Sequence, residues 1–307
     1  MAGPLLRAVG LTKRFGGVTA LDGLTMDVPH GRIGLVGANG AGKTTFFRLL
    51  LGLTRPTQGS VEVAGVEVSS DPARARSRLG YMPEHDCLPT DQSATDVVAT
   101  LGELAGLPAS AARQRASEVL DLVGLDESRF RPIEGYSTGM RQRTKLAQAL
   151  VADPDLLLLD EPTAGLDPLG RESMLDLVSR LGGFGISVLL ATHLLDDVQQ
   201  VCDHVVMLDG GRLVVSGTTD ELLERTGVVV VEVDHRVDAL VAGLARRALA
   251  ATVTPDGAVE VAASGDGDLD VIRDVVAELN LPLHRLSTRV GTLDEVFVRR
   301  AGVAEVT

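Results

Sequence analysis

Apolar and polar positions change period several times along the chain, and each change marks an element. Residues 5–9 and 18–28 alternate as strands do, with turns at Phe15-Gly16-Gly17 and His30-Gly31. Residues 33–36 are apolar throughout; a glycine-rich segment follows, and residues 46–51 then read as a helix. A strand at 61–63 closes on a turn at Ala64-Gly65, and residues 79–84 read as a strand leaving the core into a loop marked by Pro83 and Pro89. Between 93 and 127 the period lengthens. One helix begins near Thr95, with Ser93 or Thr95 as its cap. A second covers 110–123, with Ala112, Ala116, Val119, Leu120 and Val123 on one face. A third opens at Tyr136-Ser137-Thr138-Gly139 and stops at Asp153-Pro154. Residues 156–159 are four leucines without alternation, as expected of a strand buried on both faces of a parallel sheet. A helix at 169–181, a buried strand at 186–191 and a hairpin around Asp209-Gly210-Gly211 complete this region.

From Thr219 the order becomes strand (228–233), helix (237–249), hairpin (252–262), helix (268–279) and strand (282–288). This β-α-β-β-α-β order is that of the ferredoxin-like motif. Thr292 and Glu295 have the spacing of a capping box for a last short helix.

Composition narrows the setting. Apolar residues make up 45% of 307, but aromatics only 3%, and Trp is absent, so aliphatic side chains must build the core. A net charge of −13 makes general contact with nucleic acid or anionic lipid poor. Cys87 and Cys202 have no metal-ligand spacing and suggest reduced thiols. Met1-Ala2-Gly3-Pro4 has no secretory pattern, and no apolar run approaches the ~18 residues of a membrane span. The expectation is a soluble chain, or one held at a membrane by a partner.

Three stretches carry chemistry. Gly37, Gly42, Lys43 and Thr44 fit the phosphate-binding pattern G-x-x-x-x-G-K-[ST], between an apolar strand and a helix. The loop, with Asn39, Gly40 and Ala41, can turn its N–H groups onto an anion. Lys43 would reach the β- and γ-phosphates of a nucleotide; Thr44, with Thr45 nearby, would offer a hydroxyl to Mg²⁺. Asp160 and Glu161 stand where the leucine strand ends, the edge at which parallel sheets bind ligands. Asp160 can hold Mg²⁺, and Glu161 can deprotonate an attacking water. His193, at the next strand's end, either senses a γ-phosphate or is structural. Phe15 either stacks on an adenine or fills the core. The helix start at Ser137, with Thr138, Gly139 and three nearby cations, is a second place for phosphate oxygens.

Taken in order, Phe15, the glycine loop, Tyr81-Met82-Pro83-Glu84, Tyr136-Ser137-Thr138-Gly139-Met140, the leucine strand with Asp160-Glu161-Pro162, Ala164-Gly165-Leu166-Asp167 and Thr192-His193 resemble the ATP-binding cassette of ABC transporters, over about residues 5–218. The resemblance implies an α/β P-loop NTPase fold in residues 1–218. That fold has a mixed sheet core, an antiparallel β subdomain and a small helical subdomain at about 88–152. An α+β ferredoxin-like accessory domain would occupy 219–307, to dimerise, regulate, brace or merely cap the cassette. Phe15 would stack on adenine, Asp160 and Glu161 would be the Walker B pair, Ser137, Thr138 and Gly139 the signature, Asp167 the end of the D-loop and His193 the switch histidine. Glu84 would take the Q-loop position beside Mg²⁺. ATP would lie between two head-to-tail cassettes, the second being an identical copy or a paralogue. A separate integral membrane permease would hold them at the cytoplasmic face of the cell membrane.

Two positions depart from the family pattern. Glu84 stands where Gln is usual, and Met140 replaces the last residue of Leu-Ser-Gly-Gly-Gln. Both departures, and Thr292-Leu293-Asp294-Glu295-Val296-Phe297 near the end, resemble drug- and antibiotic-export cassettes. An importer subunit is the alternative within the family. A soluble ATPase acting on nucleic acid or ribosomes is the alternative outside transport; the acidic balance and the single cassette weigh against it. The transported substrate stays open.

Overall fold

The computed structural model describes residues 3–224, 228–263, 265–289 and 292–301, and it divides into two compact units, Met1–Gly217 and Thr218–Thr307. In the first unit, β1 (Leu6–Phe15) and β2 (Val18–Val28) form a long antiparallel pair. Buried Leu6, Ala8 and Leu11 face inward, while Arg7 on the opposite face meets Asp27 at 2.9 Å. β1 runs on to Phe15, which therefore ends a strand rather than sitting in the turn. After β3 (Arg32–Val36) and α1 (Lys43–Leu50), β4 (Gln58–Val63) and β5 (Val66–Glu67) complete a four-stranded sheet of order β2-β1-β4-β5. Phe46 and Phe47 of α1 are fully buried and supply much of the little aromatic packing there is.

A short helix, α2 (Pro72–Arg76), capped by Asp71, precedes β6 (Leu79–Met82); the alternation gave no sign of it. The helical stretch holds α3 (Ala94–Leu104), α4 (Ala109–Leu122) and α5 (Thr138–Leu150), with two short 3₁₀ turns between the last two. Ser93, not Thr95, caps α3, and its hydroxyl accepts the Asp96 N–H at 3.1 Å. Then come β7 (Leu156–Asp160), α6 (Pro168–Gly183), β8 (Ser187–Thr192), α7 (Leu195–Val201), β9 (His204–Asp209) and β10 (Arg212–Thr218). The central sheet has the order β10-β9-β3-β8-β7-β6. β3 pairs in parallel with both β8 and β9, and β6, β7 and β8 are parallel in turn. All four leucines of β7 are completely buried, as a strand covered on both faces requires.

The second unit begins with α8 (Thr219–Glu224). β11 (Val228–Val233), α9 (Val237–Arg246), β12 (Ala251–Val253), β13 (Val259–Ala262), α10 (Asp266–Glu278) and β14 (Leu283–Arg289) follow, and α11 (Leu293–Ala301) ends it. Its sheet has the order β12-β13-β11-β14, with every pair antiparallel. Val229, Val231, Leu240, Leu244, Val259, Val261 and Ile272 form its own core. Both halves of the capping box are present: Glu295 N–H donates to the Thr292 hydroxyl at 3.4 Å, and Thr292 N–H to the Glu295 carboxylate at 3.2 Å. No helix among the described residues is long and apolar enough to cross a membrane.

The tightest seam beside the leucine strand is between β6 and α5. A Cβ on Gly80 would lie 2.0 Å from the Ala149 carbonyl oxygen and 2.7 Å from Leu157 Cδ2, and a backbone carbonyl cannot swing aside as a side-chain tip can. Gly80→Ala is expected to lower stability by about 1–3 kcal/mol. Urea denaturation of the full chain reads this directly; an unchanged midpoint would mean that the seam gives way freely.

Candidate active site

Four neighbouring parallel strands end at one level. Val36 of β3 lies beside Thr192 of β8, Ala191 of β8 beside Asp160 of β7, and Leu159 of β7 beside Met82 of β6. The chain leaves these ends at Gly37, His193, Glu161 and Pro83. The cleft that results is lined by Ala38, Asn39, Gly40, Ala41, Gly42, Lys43, Thr44, Thr45, Glu84, Asp160, Glu161 and His193, with Ala20 and Ala164 at its margin. Ligands bind such sheets at the carboxyl ends of the strands.

The loop from Gly37 to Gly42 needs its glycines for two reasons. A Cβ at Gly37 would sit 2.4 Å from the Leu208 carbonyl oxygen, so no side chain fits there. Gly42 has φ of 107°, where L-residues are strained, and a Cβ there would lie 2.8 Å from the Ala20 carbonyl oxygen. α1 starts at the next residue, so its unpaired N–H groups open toward the cleft. The Lys43 ammonium folds back and donates to the Gly37 carbonyl. Burial lowers the Lys43 pKa, against the opposing pull of Glu161, Asp160 and Glu84.

The carboxylates are held differently. Asp160 is 4% exposed, and burial, then the charges of Glu84 and Glu161, push its pKa up to about 6; a hydrogen bond from Tyr81 and the charge of Lys43 oppose the rise. The Tyr81 hydroxyl donates to Asp160 Oδ2 at 3.4 Å, and burial followed by this carboxylate pushes the phenol up to about 12. Glu161 has φ of 48°, in the left-handed region that a non-glycine residue adopts at a cost. Its N–H is fixed on the Ala191 carbonyl at 2.9 Å. Its Oε2 accepts the Thr192 hydroxyl at 3.1 Å, and its Oε1 lies 3.0 Å from His193 Nδ1. An ionised carboxylate only accepts, so His193 carries its proton on Nδ1 in this pairing.

Other expected site residues lie elsewhere. Phe15, Ser137, Thr138, Gly139 and Asp167 do not line this cleft. Phe15 is 46% exposed, which excludes the core reading, and the Lys13 ammonium lies 4.7 Å from its ring centre. Ser137 caps α5, its hydroxyl accepting the Met140 N–H at 3.3 Å, and Tyr136 anchors that corner by donating to the Ser128 carbonyl at 2.7 Å. Asp167 caps α6 through the Gly170 N–H at 2.8 Å. The three cations after Ser137 all have protein partners. Arg141 lies 3.5 Å from Asp86, Arg143 donates to the Val123 carbonyl and Ser173, and Lys145 reaches the Pro83 and Glu84 carbonyls.

Several residues that hold the site gave no signal of their own. Thr192 orients Glu161, and Tyr81 holds Asp160. Gln142 donates to the Ala164 carbonyl at 3.0 Å, and buried Asp197 accepts from Thr163 at 2.7 Å and from Arg171. Thr192 could have been found as the residue joining a buried strand to His193. The others are linked across tens of residues to partners that no local spacing reveals.

The model of the ABC transporter family matches residues 21–164. The chain is 36% identical to "Nod factor export ATP-binding protein I" of Ralstonia nicotianae, over 97% of its own length and 94% of the relative's. It is also 36% identical to a daunorubicin/doxorubicin resistance ATP-binding protein of Streptomyces peucetius, over 95% and 91%. Among solved structures, a Clostridium perfringens protein described as part of an ABC transporter complex superposes with a TM-score of 0.66 at 27% identity, covering 72% of this chain and 91% of that one. A dimeric ATP-binding cassette in a post-hydrolysis state bound to ADP and phosphate gives 0.63 at 22% identity, covering 70% and 98%, a likeness of fold.

The raised Asp160 pKa has a consequence for stability. A carboxyl whose folded pKa lies above its value of 3.8 contributes most below that value, and the contribution is lost as pH rises through about 6. In EDTA, Asp160→Asn is expected to stabilise the chain at pH 8 by about 2 kcal/mol, with the gain shrinking at pH 5. Urea denaturation at the two pH values checks this; an equal effect at both would mean that ionisation of Asp160 is not what strains the cleft.

Proposed function

The chain belongs to the ABC transporter family, as an ATP-hydrolysing, nucleotide-binding subunit, and from that premise we propose that it powers export through separate membrane permease subunits. One observation carries the hydrolytic role: Glu161, in a left-handed backbone turn, has both carboxylate oxygens oriented by Thr192 and His193 beside the glycine loop. Export is supported by end-to-end likeness to relatives named for export and drug resistance, where an importer or a ribosomal ATPase would have to depart from them.

The cleft fits Mg²⁺·ATP. Its glycine loop, Lys43 and Thr44 line an open cleft, and Asp160 is buried in a state that an added cation would relieve. No group of three or more His, Cys, Asp or Glu that could hold a metal occurs among the described residues. Mg²⁺ asks for less: one or two carboxylates, water and the substrate's own phosphates. Thr44, Asp160 and Glu84 would hold it. When bound, the ion would supply positive charge against the negative charge that develops on the phosphates.

The chain's own groups do the rest. The N–H groups of residues 39–45 and the Lys43 ammonium bind and orient the phosphates. Glu161 accepts a proton from water as the water oxygen bonds to the γ-phosphorus and the bond to the β-γ bridging oxygen breaks, giving ADP and phosphate. His193 keeps the Glu161 carboxylate turned to the water and reports loss of the γ-phosphate. Phe15 stacks on adenine from its exposed strand end. Ser137, Thr138, Gly139 and Asp167 lie outside this cleft, so they act on the nucleotide held by a second copy or a paralogue. The permease would hold the pair at the cytoplasmic face of the membrane, and nucleic acid is not an expected partner. Residues 219–307 form a ferredoxin-like accessory domain in this reading; its strand order and antiparallel pairing support it, and residues 225–227, 264, 290–291 and 302–307 lie outside the described ones.

Glu161→Gln is expected to cut ATP hydrolysis by about 10²- to 10⁴-fold while ATP still binds and the dimer accumulates. Phosphate release and light scattering with ATP read the two effects; hydrolysis at the wild-type rate would remove Glu161 from the chemistry. A mild-detergent pull-down from native membranes should bring down a polytopic membrane protein in roughly equal amount. Recovery of soluble partners or nucleic acid alone would end the exporter reading and leave the ATPase.

A further inference from the structure

α5 carries a buried cation that the hydrolytic scheme does not use. Lys145 is 2% exposed, and its ammonium lies 2.8 Å from the Pro83 carbonyl and 2.8 Å from the Glu84 carbonyl. A buried ammonium is costly unless it is well bonded, and an uncharged residue would fill the same space at lower cost. The charge therefore calls for a reason, and Glu84 supplies one. The Glu84 side chain lines the nucleotide cleft, yet its carboxylate has no hydrogen-bond or ion-pair partner among the described residues. Only its backbone fixes where that carboxylate stands. Two consecutive carbonyls clamped onto one ammonium do this, holding the loop after β6 where the exposed Glu84 side chain lines the cleft together with Asp160 and Lys43.

The same ammonium offsets the crowding it creates. Burial lowers the Lys145 pKa, while Cys87, then Asp86, Glu84 and Asp160, act to favour its charge. The cation thus attracts two carboxylates, Glu84 and Asp160, whose charges oppose each other. α5 itself is braced on both sides of Lys145, by Gln142 on the Ala164 carbonyl and by the seam at Gly80 and Ala149.

We propose that Lys145 is a positioning residue that holds the Glu84 loop at the cleft and so sets how tightly the nucleotide-bound chain takes a divalent cation. It acts through Glu84 and touches neither nucleotide nor metal. The inference rests on the ATPase reading above.

The test uses the full chain with ATPγS, and Mn²⁺ read by electron paramagnetic resonance as the probe for Mg²⁺. Lys145→Met is expected to weaken Mn²⁺ binding in the ATPγS complex by about 10- to 100-fold, the range for loss of a group that orients a metal ligand. ATPγS binding in EDTA should stay within about twofold, because the glycine loop is untouched. Lys145→Arg should restore most of the Mn²⁺ affinity. In a Glu84→Ala background, Lys145→Met should add no more than about twofold. Unchanged Mn²⁺ affinity in folded Lys145→Met would overturn the proposal, and so would an equal loss in the Glu84→Ala background. If Lys145→Met does not fold, Lys145→Gln keeps an N–H donor without the charge and is read the same two ways. Failure of the wild-type chain to bind ATPγS at all would instead sink the ATPase reading.

Discussion

A sheet covered on both faces can place polar chemistry only at its ends. The interior of β7 is four fully buried leucines, and β3 and β8 are as dry. No carboxylate could sit within those strands without a partner to offset its desolvation. Parallel pairing then decides the rest. Because Val36, Thr192, Asp160 and Met82 come to one level, the loops leaving four strands share one cleft. A slip of one residue at β7 would turn Asp160 to the other face of the sheet and move Glu161 away from Thr192.

Within that cleft the charges are unbalanced in a useful direction. One lysine, itself disfavoured by burial, faces three carboxylates, and burial, then the charges of Glu84 and Glu161, push the Asp160 pKa up to about 6. Such a site is uncomfortable alone, and in the proposed function a divalent cation arriving with its own phosphate ligands would relieve it. The strain at Glu161 has the same character. Its φ of 48° is tolerated because the Ala191 carbonyl, Thr192 and His193 fix the backbone and both oxygens. The chain stores an unfavourable local state where substrate binding can use it.

The parts of this arrangement that the sequence disclosed are those in which chemistry follows from local spacing. Gly37, Gly42, Lys43 and Thr44 fall within one stretch of eight residues, and Asp160-Glu161 closes an unmistakable apolar run. The β-α-β-β-α-β order of the tail was also readable, because each element there has a clean period. Phe15 was ambiguous, since an aromatic at a strand end gives no clue to its burial; only the fold exposes it beside Lys13. The three cations after Ser137 suggested phosphate, yet all three are bound to protein groups. Lys145 and Asp197 were invisible for one reason: their partners are backbone carbonyls or side chains far along the chain, and backbone acceptors have no residue-specific signature.

Those concealed ties bear on how a half-site can work. Ser137 caps the same helix that carries Gln142 and Lys145. The first of these holds the Ala164 carbonyl on the segment leading to Asp167, and the second holds Glu84. A rigid helix of this length moves as a body, so any shift imposed on its capped end is delivered to both margins of the chain's own cleft. The surface that a second cassette would engage and the loop that would present a metal ligand are thus mechanically one element. Neither could be tuned by substitution without consequence for the other, and that constraint gives a physical reason for placing an expensive buried charge in the middle of α5.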